Sequence, residues 1–336
     1  MKKPIIPMLA IACGAILAMT ACSGASASKE TVADQAETPA DTAASTVYYV
    51  KEITPENLIR IYKALDREAT GNVAVKISTG ESNKSNHLDT ALIKDFVHLI
   101  NGTFVECNTA YPGNRMTTAD HLKAAADHGF TAIAPVDIMD ADGDTALVVT
   151  DGFHLPYDLV GKNFLNYDFM VVLSHFKGHQ MGGFGGALKN ISIGIGSTAG
   201  KSWIHSAGQT KDPYDRRTFH TDQDDFLESM ADASQAIVNY IGPNVLYINV
   251  ANRLSVDCDC NGNPAAPEMG DLGIYASLDP VALDRACVDA VFNSTDPGKD
   301  ALIERINSRH GTHILDAAEQ LGVGTQRYTL IDLDQQ

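Results

Sequence analysis

The chain has 336 residues, with 25 Lys and Arg against 42 Asp and Glu, a formal charge of −17 and 44% hydrophobic residues. That length and apolar content suit one large α/β domain or two small ones and exclude a disordered chain. A pI near 4.9 argues against nucleic acid, since phosphate binding needs a basic surface, and six cysteines are too few for a disulfide-built scaffold.

Residues 1–21 read as a secretory signal peptide. Lys2 and Lys3 precede an uncharged apolar run from Met8 to Met19, and Thr20-Ala21 lead directly into Cys22. This ending resembles the lipobox of bacterial lipoproteins, which implies that Cys22 carries lipid and becomes the new N-terminus. Ordinary secretion with an incidental cysteine is the alternative. Residues 22–46 are small, polar and acidic; such a segment buries too little surface to offset its ordering entropy and reads as a tether. The acidic charge therefore belongs to the external domain, which anionic lipid should repel. Contact with the membrane is expected through the lipid anchor only, on the bacterial cell envelope facing outside the cytoplasm.

From residue 47 to 336 strand-like and helix-like segments alternate. Asn72 to Ile77 is short and β-branched; Leu88 to Asn101 carries Leu92, Ile93, Phe96, Val97 and Ile100 at helical spacing. Thr103-Phe104-Val105 reads as a strand, Thr118 to His128 as a helix closed by Gly129, and the nearly all-apolar Tyr167 to Leu173 as a strand buried on both faces. Thr221 to Ile241 is the clearest helix, with Asp222, Asp224 and Asp225 at its positive end. A strand at Val245 to Val250, a helix from Asp279-Pro280 to Phe292 and a strand at Tyr328 to Leu333 complete the pattern. The alternation predicts a single α/β domain, a mostly parallel sheet with helices on both faces.

Four unusual clusters follow four of these strands: Ser78-Thr79-Gly80-Glu81, the Glu106 to Tyr111 stretch, Ser174 to His179, and Asp257-Cys258-Asp259-Cys260. Ligands bind outside the carboxyl ends of strands in open α/β sheets, so one shared site is expected. His175 and His179 are four apart and can converge on a metal if the turn is helical, although Gly178 equally favours a loop; two hydrogen-bonded histidines are the bland alternative. Cys258 and Cys260 supply soft ligands for a divalent transition metal or a redox pair, with a disulfide as the competing reading. In Gly182 to Asn190, the glycines Gly183, Gly185 and Gly186 allow close backbone approach to an anion, with Lys189 as a point charge and Asn190 beside it, or they simply pack. The stretch Ile193 to Ser202 misses the phosphate-loop register by one residue at each glycine and is rejected as such. Cys107 and Cys287 read as buried thiols, and no Gly-x-Ser-x-Gly elbow is present.

Taken together, VECNTAYPGNR with the later HGF, VDIMDADG at 136–143, VVLSHFKGHQMGGFGGALKNISIGIGS, Gly200-Lys201, His205, DCDC and DLGIYASLDPVALDRACVDAV resemble the domain of unknown function 362 family, often labelled "uncharacterised Fe–S centre protein". The resemblance covers about residues 47–334 and implies an α/β fold with a candidate metal or redox site, without bringing a reaction. Iron–sulfur members carry ferredoxin-like cysteines between the segments matching His205 and Asp224; this interval has none, so no ferredoxin-type cluster is expected. The Gly-rich segment after His179 is also loosely similar to the substrate-pocket loop of nickel-dependent lactate racemases, which assigns no residue roles.

Two functions compete on these residues. One is a metal-dependent or redox enzyme, with His175, His179, His205, Cys258 and Cys260 as ligands, the Gly183 to Asn190 loop receiving a small anionic substrate, and Lys177 or Glu106 handling protons. The other is a non-catalytic lipoprotein that binds a small ligand or a metal. An inert descendant of an enzyme is the blandest reading.

Overall fold

The computed structural model describes residues 43–336; the expected signal peptide, Cys22 and most of the tether lie outside the described residues. An eight-stranded sheet organises the described chain. It begins at β1 (Ser45–Val50), so the first two strand residues fall within the segment read as tether. After α1 (Pro55–Ala64) come β2 (Val73–Lys76), α2 (Thr90–Leu99), β3 (Thr103–Glu106), α3 (Thr118–Asp127) and β4 (Val136–Ile138). A hairpin of β5 (Asp144–Val148) and β6 (Tyr157–Gly161) precedes the central β7 (Phe169–His175), and a second hairpin joins β8 (Lys177–His179) to β9 (Gly183–Gly185). Helices α4 (Ala187–Ile191), α5 (Thr198–His205) and α6 (Gln223–Ile241) lead to β10 (Val245–Ala251), β11 (Gly273–Ser277), α7 (Pro280–Asn293), α8 (Lys299–Ser308), α9 (His313–Gln320) and β12 (Tyr328–Asp332).

The sheet order is β12-β1-β11-β10-β7-β2-β3-β4. All neighbours are parallel except β11, which runs against both β1 and β10. The expected mostly parallel α/β sheet is present; the antiparallel strand inside DLGIYAS was not foreseen. Side-chain alternation divides the core into two layers. Phe169, Val171 and Leu173 of β7 pack with Leu246 and Ile248 of β10 against α1 and α2. Met170, Val172 and Tyr247 point the other way, towards α4, α6, α7 and α9. Because β7 is buried along its whole length, its nearly unbroken apolar run needed no alternation of polar residues.

The order reverses direction beside β2: the chain runs outward through β3 and β4, then returns to place β7 on the other side. Such a switch point leaves a crevice at the carboxyl ends of the flanking strands. Helix α4 closes one wall of it, and α7 fixes α4. Buried Asp284 accepts the N–H groups of Ala187 at 2.7 Å and Leu188 at 2.9 Å, and Asn249 of β10 donates to it at 2.7 Å. A Cβ on Gly186 would lie 2.2 Å from the same carboxylate, so glycine there allows the cap to approach. Asp284→Ala is expected to leave three buried donors without an acceptor and to lower stability by at least about 2 kcal/mol, measured by urea unfolding.

Candidate functional site

The crevice holds a cavity of about 260 Å³, bordered by Lys76 of β2, Glu106 at the end of β3, Ser174 and His175 of β7, and Lys177 and His179 of β8. Arg115, Lys189, Lys201, His205 and Cys260 complete its polar wall. All four sequence clusters thus border one site: the 106–111 stretch, 174–179, DCDC through Cys260, and the first cluster through Ser78.

Five cations and one carboxylate, Glu106, line the cavity. Arg115 donates to Glu81 at 3.0 Å, Glu106 at 3.1 Å and the Tyr111 hydroxyl at 3.1 Å. Glu106 also faces His121 Nε2 at 3.1 Å and accepts the backbone N–H of Thr79. Burial opposes its ionisation, but the bonds and charges of His121 and Arg115 hold its carboxyl well below the usual range. Glu106, expected from the sequence to handle protons, is held here as an anion with donors on both of its oxygens. Lys177 donates to the His175 carbonyl at 2.8 Å and to Asp259 at 2.7 Å. Lys201 donates to the Gly196 carbonyl at 2.6 Å, and Lys76 to the Ile77 carbonyl at 2.6 Å and Asn190 Oδ1 at 2.9 Å. Asn190 is thus the holder of Lys76, its amide also reaching Ser174 Oγ at 3.0 Å.

Lys189 differs from the rest. Its ammonium has no hydrogen-bond or ion-pair partner among the described residues. Burial and the neighbouring Lys177 lower its pKa to about 7, against about 8 for Lys76. His205 stands one turn beyond Lys201 on α5, donates from Nδ1 to the Lys201 carbonyl at 2.7 Å, and is held near pKa 4 by burial. Its Nε2 then carries a free lone pair. The glycines divide: Gly185 and Gly186 border the cavity. Gly183, at φ +79°, packs on Gly311 with no room for a Cβ and is not among the residues that border the cavity.

The metal ligands also divide. His175 faces Asp259 with Nδ1 at 3.0 Å and the Asn252 carbonyl with Nε2 at 2.6 Å, so both nitrogens are engaged. His175 and His179 do not share a helical turn; they sit at the ends of two strands. His179, Cys258 and Cys260 form a group whose donor atoms lie within 4.8 Å of one another, without His175 or His205. The two sulfurs are joined in a disulfide, and His179 Nδ1 accepts the Gly182 N–H at 2.8 Å, leaving the neutral ring's proton on Nε2. In this oxidised form the group does not fit a metal; reduction would expose two thiolates. Nor does the wall fit a four-cysteine cluster: Cys107 and Cys287 are buried free thiols, and burial pushes Cys107 to about 12.

Sequence reasoning missed Arg115, Lys76 and His121. A lysine inside the apolar run of β2 was the readable signal for Lys76. It did place Lys201 correctly outside a phosphate loop: the Thr198 and Gly200 N–H groups at the start of α5 are taken by Asp140 at 3.0 Å and Ser197 at 3.0 Å.

The family described as "Domain of unknown function (DUF362)" matches residues 73–289. The chain belongs to the DUF362 family. The match spans β2 to α7 and includes every cavity residue named above. No curated protein matches the sequence. Among solved structures, the lactate racemase apoprotein of Thermoanaerobacterium thermosaccharolyticum is similar at 16% identity and TM-score 0.37, over 60% of this chain and 50% of that one. A Thermotoga maritima protein is similar at 12% identity and TM-score 0.41, over 72% of this chain and 60% of that one. This chain therefore spans half to three fifths of the length of those two proteins.

Because its folded pKa lies below the ordinary 4.5, Glu106 contributes stability that is present above about pH 4.5 and is lost as pH falls towards the folded value. Glu106→Gln is expected to cost about 3–5 kcal/mol at pH 7 by uncoupling Arg115 and His121. The gap from wild type should narrow towards pH 3 in denaturant titrations.

Proposed function

We propose that this is a lipid-anchored protein of the bacterial cell envelope, tethered by Cys22 outside the cytoplasm, whose cavity binds a small anion and moves a proton on it. The observation that carries the reading is Lys189. Four cations in the wall are matched to protein acceptors, and this one is left for a ligand. An ammonium held partly out of water among like charges is costly, and a bound carboxylate or phosphate would relieve that cost. The cavity is small for a ligand site, which limits the occupant to a few heavy atoms.

Proton transfer follows from the same wall. An amine poised near pKa 7 exchanges its proton readily at neutral pH, and His205 Nε2 is a neutral acceptor beside it in the lining. Lys177, fixed by Asp259, supplies charge that holds the anion. The ligand anion, once bound, is screened from water by Tyr111, Met181 and Phe219 of the same lining.

A second reading is favoured by the His179, Cys258 and Cys260 group. Once the disulfide is reduced, two thiolates beside an imidazole suit a soft or borderline divalent metal, and the protein would then be a metal-binding or metal-dependent lipoprotein. Elemental analysis of reduced and oxidised protein separates the two forms, since only the reduced one should retain metal at this group.

The membrane part of the reading rests on the residues around Cys22. Among the described residues no helix is long and apolar enough to cross a membrane. Cys22→Ala is expected to move the protein from the membrane to the soluble fraction. For the cavity, binding of small carboxylates and phosphates to the mature protein is expected to weaken about tenfold as pH rises through and above 7. Lys189→Met should bind about tenfold more weakly at pH 6 and lose the pH dependence, measured by calorimetry. Wild-type affinity that ignores pH and the substitution would refute the assignment.

A further inference from the structure

Away from the cavity, three histidines and three carboxylates meet at the first turns of α6. His154 Nε2 lies 2.6 Å from Glu228 Oε2 and 3.8 Å from Asp225 Oδ1. His313 Nε2 lies 2.9 Å from the other oxygen of Glu228, and His310 Nδ1 lies 2.6 Å from Asp224. The donor atoms of His154, Asp225 and Glu228 are all within 4.8 Å of one another, and so are those of Asp224, His310 and His313. Glu228 links the two sets through His313.

We infer that this cluster is a binding site for a divalent transition-metal ion of the zinc class, with His154, Asp225 and Glu228 as ligands and His313 completing the set through Glu228. Imidazole and carboxylate together suit zinc, cobalt, nickel or copper, with N and O ligands at about 2.0–2.2 Å. The charge favours a cation: the three carboxylates have histidines as their only ion-pair partners among the described residues. They also stand at the positive end of α6, where the helix offsets only part of their mutual repulsion. A divalent ion would offset the rest.

The ligands are held before any ion arrives. The loop carrying His154 is clamped to α6, because the N–H groups of Phe153, His154 and Leu155 all donate to Asp232 at 2.8 Å. Asp232 lies one helical turn beyond Glu228. His313 opens α9, and its ring stacks on His310 with centroids 5.0 Å apart. Glu228 and His154 are about one-fifth exposed, while Asp225 is 42% exposed, which leaves a route for the ion. The three ligands lie within the residues matched to the family, whereas His313, which bonds Glu228, lies beyond them.

The test uses mature protein without a polyhistidine tag and with the Cys258–Cys260 disulfide intact, so that the cavity group contributes no thiolate. After chelator treatment it is titrated with Co2+ followed by visible absorption, then with Zn2+ in competition. About one ion per chain is expected, displaced by zinc, with Zn2+ raising the thermal midpoint by mass action. His154→Gln keeps a side-chain donor for Glu228 while removing the imidazole; it should fold without metal and bind Co2+ at least tenfold more weakly, as should Glu228→Gln. His179→Ala should bind as wild type does. The inference is overturned if no stoichiometric binding is found, if His154→Gln and Glu228→Gln bind unchanged (the cluster then being a hydrogen-bonded strut), or if His179→Ala abolishes binding and so places the ion in the cavity.

Discussion

The buried ion pair between Asp259 and Lys177, with His175 on the same carboxylate, is the interaction on which the site depends. It joins the loop after β10 to the end of β7 and the start of β8. Burial opposes the charge on Asp259, and the adjacent Lys177 and His175 hold its carboxyl far below the usual range. Removing either partner would strand the other as an uncompensated buried charge, which is why such pairs are costly to break even when they add little net stability. The pair also sets the position of the flanking cysteines: Cys258 is buried and Cys260 forms part of the cavity wall.

A cationic cavity inside a chain of formal charge −17 follows from the same economy of buried charge. The acidic residues are spread mostly over the surface, where water screens them. The two carboxylates beside the cavity, Glu106 and Asp259, are each held by two cation-capable side chains. Lys76 and Lys201 rest on carbonyl oxygens, which orient an ammonium without neutralising it. The field inside is thus positive where the exterior is negative, and low-dielectric walls strengthen it. Such a field is the physical basis for the small-anion ligand proposed above.

Two distinct donor chemistries are therefore present in one chain. Sulfur and imidazole gather at the cavity wall, under the control of a disulfide, whereas imidazole and carboxylate gather at the start of α6. The first answers to redox state, and the second does not. Asp232 and Asp284 play parallel parts in this architecture, each accepting several backbone N–H groups and so turning a loop or a short helix into a fixed support for functional side chains.

The sequence by itself determined the α/β class, most strands and helices, and the convergence of its unusual residues at strand ends. Those features are local: apolar period and length specify an element, and parallel order sends each following loop to the same edge. Only the tertiary structure decided which side chains are free. His175 and Glu106 look like reactive groups in the sequence and have both nitrogens and both oxygens engaged in the fold, whereas Lys189 looks like one lysine among several and has no hydrogen-bond or ion-pair partner among the described residues. The cluster of His154, Glu228 and His313 was equally hidden, because its members are brought together from segments separated by more than 150 residues between first and last. Periodicity records which face of an element is buried; it carries no record of the partner that the opposite element presents there.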